Sequence, residues 1–440
     1  MNMLVIEGGT VITMDGARHV ERADVLVEDG QIAAVGSITM PLGTPTLKAH
    51  GCIVMPGLIQ AHTHVCQTLC RGAADDLPLL EWLERRIWPY EAALDERAMR
   101  ACARLAAAEL LLGGTTAILD MGTVHETDAL SDALGRTGLR ATVGKAMMDA
   151  GDRVPARMRE TTRNSLAESD ALRARWDGTF GGRLKYAYAP RFVLSCTDEL
   201  LRAVGDRVRG RARVHTHASE QEAEVALVRA ERGQDNIAYF DAVGITGPQA
   251  TLAHCVHATS DELRLLAARG THVTHCPSSN LKLGSGIAKI PEMLALGIHV
   301  ALGADGAPCN NNLDGFVELR LAALLHKPRV GPAGFTAEQA LELATLGGAR
   351  ALGLAAELGS IEPGKRADLI VIDPRTPHIA PSSDPISTVV YAAQSRDVRH
   401  VMVDGRLLVR DGQLTELSGL EVGEVVSTAR AEAARILSAI

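Results

Sequence analysis

Short apolar runs alternate along this chain with longer stretches whose apolar positions recur every three or four residues. Between residues 53 and 302 eight such runs stand out: 53–62, 115–119, 140–144, 184–188, 212–215, 251–254, 272–275 and 299–302. Bounded by glycine and polar residues, they predict buried strands. Helical periodicity follows most of them, as at 100–111, 221–232 and 261–269. Eight strand–helix repeats predict an α/β fold, a TIM (β/α)8 barrel. Such a barrel places its chemistry at the C-terminal ends of its strands.

The two ends of the chain have a different texture. Residues 4–6, 11–12, 25–27 and 31–35 are short strand-like runs separated by Gly and Asp. Residues 369–372, 401–403 and 407–409 repeat that texture, with Asp404-Gly405 as a hairpin turn signal. These segments predict a small β-sandwich domain built from both chain ends. The expected division is therefore residues 1–52 and 359–440 for the small domain, and 53–358 for the barrel. Residues 418–440 read as a terminal amphipathic helix.

Composition narrows this picture. Hydrophobic residues make up 46% of the 440 positions but aromatic residues only 3%, so Ala, Leu, Val and Ile must fill the core. The net charge of -8, with no basic stripe, argues against nucleic acid as a partner. The eight cysteines form no Cys-x-x-Cys pair and several lie in apolar runs, which predicts free thiols in a reducing, cytoplasmic setting. The first residues lack a basic flank before a long apolar stretch, and no uncharged apolar run approaches ~18 residues. Neither a secretory signal nor a membrane association is expected.

Four polar strings fall at the predicted strand ends: His62-Thr63-His64, His217-Ala218-Ser219-Glu220, His254 and Asp305. His62 and His64 are two apart on a strand, so both side chains share a face. His217 follows the fifth run, with Glu220 three residues on, where it could lie over bound water or simply open the next helix. His254 ends the sixth run. Asp305 follows the eighth, where a buried carboxylate needs a partner, and a metal supplies one. Imidazoles plus one metal-binding carboxylate and one spare carboxylate suit a metal-dependent hydrolase that activates water. His215 faces inward but deeper, and is expected to be structural, as are His257 and His275. No dinucleotide fingerprint, P-loop, His-Glu-x-x-His or Gly-x-Ser-x-Gly string is present. Ser279-Asn280-Leu281-Lys282 fits a Ser-x-x-Lys pattern but lacks its companions, so residues 277–286 are expected to be a barrel loop.

These strings resemble the amidohydrolase superfamily over almost the whole chain. Met55-Pro56-Gly57-Leu58-Ile59 before His62-Thr63-His64 is similar to its first-strand signature. Leu252-Ala253-His254-Cys255-Val256-His257, the string 275–283, and Gly303-Ala304-Asp305-Gly306-Ala307 follow in the family's order, and 359–369 resembles its return to the small domain. The branch resembled contains 5'-deoxyadenosine and S-adenosylhomocysteine deaminases, guanine deaminase and s-triazine hydrolases. The resemblance implies that His62, His64, His217 and Asp305 bind one divalent metal ion per subunit, Zn2+ or alternatively Fe2+. The fourth run ends Tyr188-Ala189-Pro190-Arg191-Phe192 without the lysine that bridges two metals in binuclear relatives, which implies a single ion. It further implies catalytic roles: Asp305 takes a proton from the water, Glu220 protonates the ring nitrogen and assists the leaving amine, and His254 orients the attacking oxygen.

For substrate, the resemblance divides. Gln67 and Arg191 resemble the pair that grips the ring in guanine and pterin deaminases. Residues 79–83, 144–149 and 276–283 look like the 5'-deoxyadenosine deaminase type, with Trp82 placed to cover a nucleoside. The implied substrate is a small heteroaromatic amine, an adenosine derivative first: 5'-deoxyadenosine, S-adenosylhomocysteine or methylthioadenosine. Deamination of guanine or a pterin, or s-triazine hydrolysis, is the alternative. A non-catalytic scaffold on the same barrel is the rival from another class, although such relatives lose metal ligands that this chain keeps. The family also implies a homo-oligomer.

Overall fold

A computed structural model of the chain describes residues 3–39, 43–210 and 212–440. Its central sheet has ten strands, every ladder parallel, and it curls into a TIM-like barrel. Barrel strands one to eight are Leu58–His64, Thr115–Met121, Arg140–Gly144, Leu184–Pro190, Arg213–Ala218, Ala250–His254, His272–His275 and Val300–Leu302. The ends of the sheet meet because the chain, after Gly303 and Ala304, adds Asp305–Gly306 beside strand one, pairing Asp305 with Thr63 and Gly306 with His64. Gly303 is required there. A Cβ at that position would lie 2.7 Å from the His62 carbonyl oxygen.

Alanine explains how so few aromatic residues suffice. Ala61, Ala117, Ala187 and Ala301 pack with Ile59 and Leu119 in one buried cluster, so strands close around short side chains. Helices on the outside begin on local caps. Asp95 accepts from the Ala98 N–H to start Glu96–Leu112, and Thr259 with Glu262 forms a capping box for Ser260–Arg269. Glu222–Arg232 and the terminal Val422–Leu437 also form where periodicity places helices.

The strands of the two chain ends lie in a single nine-stranded sheet. Here the structure departs from the sequence reading. The run 53–62 is not one barrel strand. Ile53–Pro56 pairs parallel with Met3–Ile12 and antiparallel with Leu369–Ile372, and only from Leu58 does the chain enter the barrel. The switch is Gly57, where a Cβ would meet Thr116 at 2.2 Å, too close for any side chain. An apolar run buried in two successive sheets carries no periodicity signal of the change. Arg140, at the start of strand three, fastens barrel to end-sheet through a buried two-point ion pair with Asp368, at 2.8 and 3.1 Å. No helix of the described residues is long and apolar enough to cross a membrane, and all eight cysteines are buried and unpaired.

Candidate active site

The strand pleat aims the first two histidines. His62 and His64 face the barrel mouth, while Thr63 between them turns away and donates to Asp120 Oδ1 at 2.9 Å. The same oxygen accepts the Val65 N–H at 2.7 Å, which fixes the backbone just past His64. Burial pushes the Asp120 carboxyl up to about 7.

Second partners decide what each ring offers. His64 Nδ1 lies 2.8 Å from the Met121 carbonyl, and His217 Nδ1 lies 2.7 Å from the Arg191 carbonyl. A carbonyl only accepts, so both rings carry hydrogen on Nδ1 and turn the Nε2 lone pair inward. Those two Nε2 atoms are 3.1 Å apart. Two lone pairs cannot hydrogen-bond each other, so the arrangement suits a shared cation. His62 Nδ1 is hydrogen-bonded to His215 Nε2 at 2.8 Å, and its buried Nε2 has no partner. The nitrogen atoms offered by His62, His64 and His217 all lie within 4.8 Å of one another. Asp305 Oδ1 stands 3.4 Å from His62 Nε2 and 3.5 Å from His64 Nε2. Three imidazoles and a carboxylate with an open side are a donor set fit for a catalytic divalent ion.

Electrostatics agrees with that donor set. Burial, and then the neighbouring imidazoles, hold His217 well below the ordinary histidine range, and burial takes His64 down to about 4. Burial alone would raise Asp305, but His62, His64 and His254 outweigh it and keep the carboxyl well below its usual range. Neutral rings beside an ionised carboxylate are the forms that bind metal. Glu220 goes the other way. Burial first, and then the charges of Asp305 and Glu224, push its carboxyl well above the usual range, which favours its protonated form.

His254 stands between the two acids, its Nε2 3.6 Å from Glu220 Oε2 and 3.8 Å from Asp305 Oδ2. Its own φ is 71°, that of Ser219 is 49° and that of Asp305 is 65°. These left-handed conformations cost non-glycine residues about 1–3 kcal/mol each and turn the strand ends toward the cavity.

The sequence reading placed His217 beyond strand five, but it lies within Arg213–Ala218. Residues 277–286 are not simply a loop. Cys276 leads into a short helix, Pro277–Lys282, with proline in its first turn. That helix supplies two supports. Ser279 Oγ donates to Asp305 Oδ2 at 2.6 Å, and Asn280 Oδ1 receives the His254 Nδ1–H at 2.8 Å. Both were hidden in a string whose only local signal was the rejected Ser-x-x-Lys pattern. Replacing Asn280 with leucine should lower kcat about 10- to 100-fold at unchanged metal content. An unaltered kcat would show that His254 needs no such anchor.

A cavity opens over these groups, with Glu220, His254, Asp305, His64 and His217 on its polar floor. Leu79, Trp82, Leu83, Phe192 and Leu283 form an apolar wall. Of the candidate substrate contacts, Trp82 and Arg191 line the cavity. Gln67 sits behind the wall and donates to Glu91 Oε1 at 2.8 Å. Glu91 is the residue the sequence reading lacked. It is buried, accepts from Thr123 Oγ1 at 2.9 Å, and grips Arg191 with both oxygens, at 2.6 and 3.0 Å.

Residues 53–408 match the amidohydrolase family, and the chain belongs to it. It is 41% identical over 430 residues to a 5-methylthioadenosine/S-adenosylhomocysteine deaminase of Syntrophobacter fumaroxidans, covering 96% of both chains. It is 37% identical to a 5'-deoxyadenosine deaminase of Methanosarcina mazei, covering 98% of both. Among solved structures, an adenosine deaminase from Xanthomonas campestris with bound zinc superposes with a TM-score of 0.92. The two are 33% identical, over 99% of this chain and 98% of that one.

Proposed function

We propose that the chain is a mononuclear zinc aminohydrolase that replaces the ring amino group of an adenosine derivative by oxygen, releasing ammonia. 5'-Deoxyadenosine, methylthioadenosine and S-adenosylhomocysteine are the substrates in view. The observation that carries this reading is the convergence of three imidazole nitrogens and Asp305 Oδ1 beside the buried Glu220 carboxyl in one largely apolar cavity. The relatives named for those substrates support it. The same reading takes the barrel domain to run from Leu58 to about residue 358, with the start moved from 53 because Ile53–Pro56 lies in the end sheet, and takes the two chain ends as a small β-sandwich domain. Support for the latter is a separate core in which Ile6, Val25 and Val54 pack with Leu369 and Met402.

In this reading His62, His64, His217 and Asp305 hold the ion, which when bound lowers the pKa of water toward neutrality and polarises the attacked carbon's surroundings. Asp305 accepts the proton that the water gives up. Glu220 delivers its proton to the ring nitrogen beside the attacked carbon; the amine leaves as ammonia with the proton that Asp305 had taken, and the added oxygen's remaining proton returns to Glu220 as the carbonyl forms. His254 hydrogen-bonds the incoming oxygen from between the two acids. The apolar wall with Trp82 covers the base and keeps bulk water out.

The guanine and pterin alternative rested on Gln67 and Arg191. Glu91 engages both side chains, which leaves them less to offer a ring carbonyl and favours the adenosine reading. The test is a panel of 5'-deoxyadenosine, methylthioadenosine, S-adenosylhomocysteine, guanine, isoxanthopterin and melamine with zinc-loaded protein, following ammonia and the ultraviolet spectrum. Loss of the adenine band is expected. Turnover confined to the other compounds would overturn the substrate, and less than about 0.2 metal per chain with no activity on adding zinc would favour a scaffold.

A further inference from the structure

The barrel has a second cavity at its opposite, N-terminal mouth, with a volume of about 210 Å³. Lys185 and Arg213 enter it from adjacent strands four and five, and Thr142 from strand three. Strand register explains the convergence. Lys185 pairs with Thr142, and Ala187 pairs with Arg213. Lys185 is two residues from Ala187, which packs in the barrel interior, so its side chain takes the same inward face. From Lys185 to Arg191 at the catalytic mouth, strand four spans ~20 Å.

Two of the cations here, Lys185 and Arg213, are poorly matched by acids. Arg213 donates from its NH2 group to the Ala351 carbonyl at 2.5 Å, but its buried Nε has no partner. Its other terminal nitrogen packs against Gly353, where a Cβ would approach to 2.4 Å. Burial without a facing carboxylate draws the guanidinium down to about 10. The Lys185 ammonium, as distinct from its backbone in the strand ladder, makes no hydrogen bond or ion pair among the described residues. Arg173 also lines the space, but its charge is engaged with Asp170 and Tyr188. The acid of the lining is Asp177, whose Oδ1 is occupied by the Tyr186 N–H at 3.1 Å. A desolvated guanidinium with an N–H to spare, beside a part-buried ammonium, forms a site for an anion.

We propose that this basal cavity binds an oxyanion, the phosphate of a small molecule, between Lys185 and Arg213, as a site separate from the catalytic mouth. The phosphate could be free or carried as a monoester, and the two share the same recognition chemistry. The test is titration of the zinc-loaded protein, at constant ionic strength, with inorganic phosphate and with ribose 5-phosphate, read by calorimetry. Lys185→Gln is the main variant, because Lys185 supports no other group and deamination without phosphate should be unchanged in it. Saturable binding to the parent protein that weakens tenfold or more in Lys185→Gln is expected. Binding of phosphate itself assigns the free anion, and binding of ribose 5-phosphate alone assigns the monoester. Arg213→Gln should weaken the same binding, but it also removes a donor to Ala351, so its ligand response is compared with its own unliganded state. Absence of saturable binding, or equal binding in parent and Lys185→Gln, overturns the site; the latter result would move the anion to another place, such as the catalytic ion.

Discussion

Replacing Glu220 with glutamine is expected to leave the protein folded and metal-loaded while cutting turnover by about 10²–10⁴-fold, the range for losing a general acid–base group. Glutamine keeps the shape and one oxygen but carries no transferable proton. Glu220 is buried in surroundings that favour its neutral form, so the neutral amide suits them and folding stability should change little. His62, His64, His217 and Asp305 are untouched by the substitution. Metal analysis with steady-state kinetics on the best substrate separates the outcomes. Turnover near that of the parent would remove Glu220 from proton transfer, and lost metal would make it a supporting residue.

The second large effect concerns the buried pair. Arg191→Met should destabilise the fold by about 3–5 kcal/mol, because it strands a buried carboxylate. Burial alone would raise the Glu91 carboxyl, and the Arg191 guanidinium more than offsets that. Without it, Glu91 would keep only the Gln67 amide and the Thr123 hydroxyl as donors. Chemical denaturation of the single variant and of Arg191→Met/Glu91→Gln measures this. The double variant should regain most of the loss, since no unpaired charge remains, and should recover turnover of adenosine derivatives along with stability. A double variant as unstable as the single one would mean that Arg191 contributes by packing. If activity on adenosine derivatives survived in the single variant while activity on oxo-purines vanished, Arg191 would serve the alternative substrate class alone. The backbone anchor for His217 is the Arg191 carbonyl, which the substitution leaves in place.

Much of the barrel was readable because strand and helix periodicities are local. Each apolar run reports its own burial, and the pleat alone puts His62 and His64 on one face. The low aromatic content likewise foretold an interior of small side chains, which Ala61, Ala117, Ala187 and Ala301 supply. The boundary at Gly57 was not readable, because residues on both sides of it are equally buried. What separates them is the close approach of Thr116, a contact between strands.

The sequence by itself determined the types, the order and the strand-end placing of the residues proposed to hold the ion. Tertiary structure alone decided which nitrogen each ring presents, since that depends on the Met121 and Arg191 carbonyls and on His215. It also decided that Arg191 meets Glu91, 100 residues away in sequence, and that Ser279 and Asn280 brace Asp305 and His254 across 26 residues. Pattern along a chain records how a residue sits on its own strand or helix. The charge state and aim of a buried polar group are set by whichever donors and acceptors folding brings against it, and low dielectric makes those few contacts decisive.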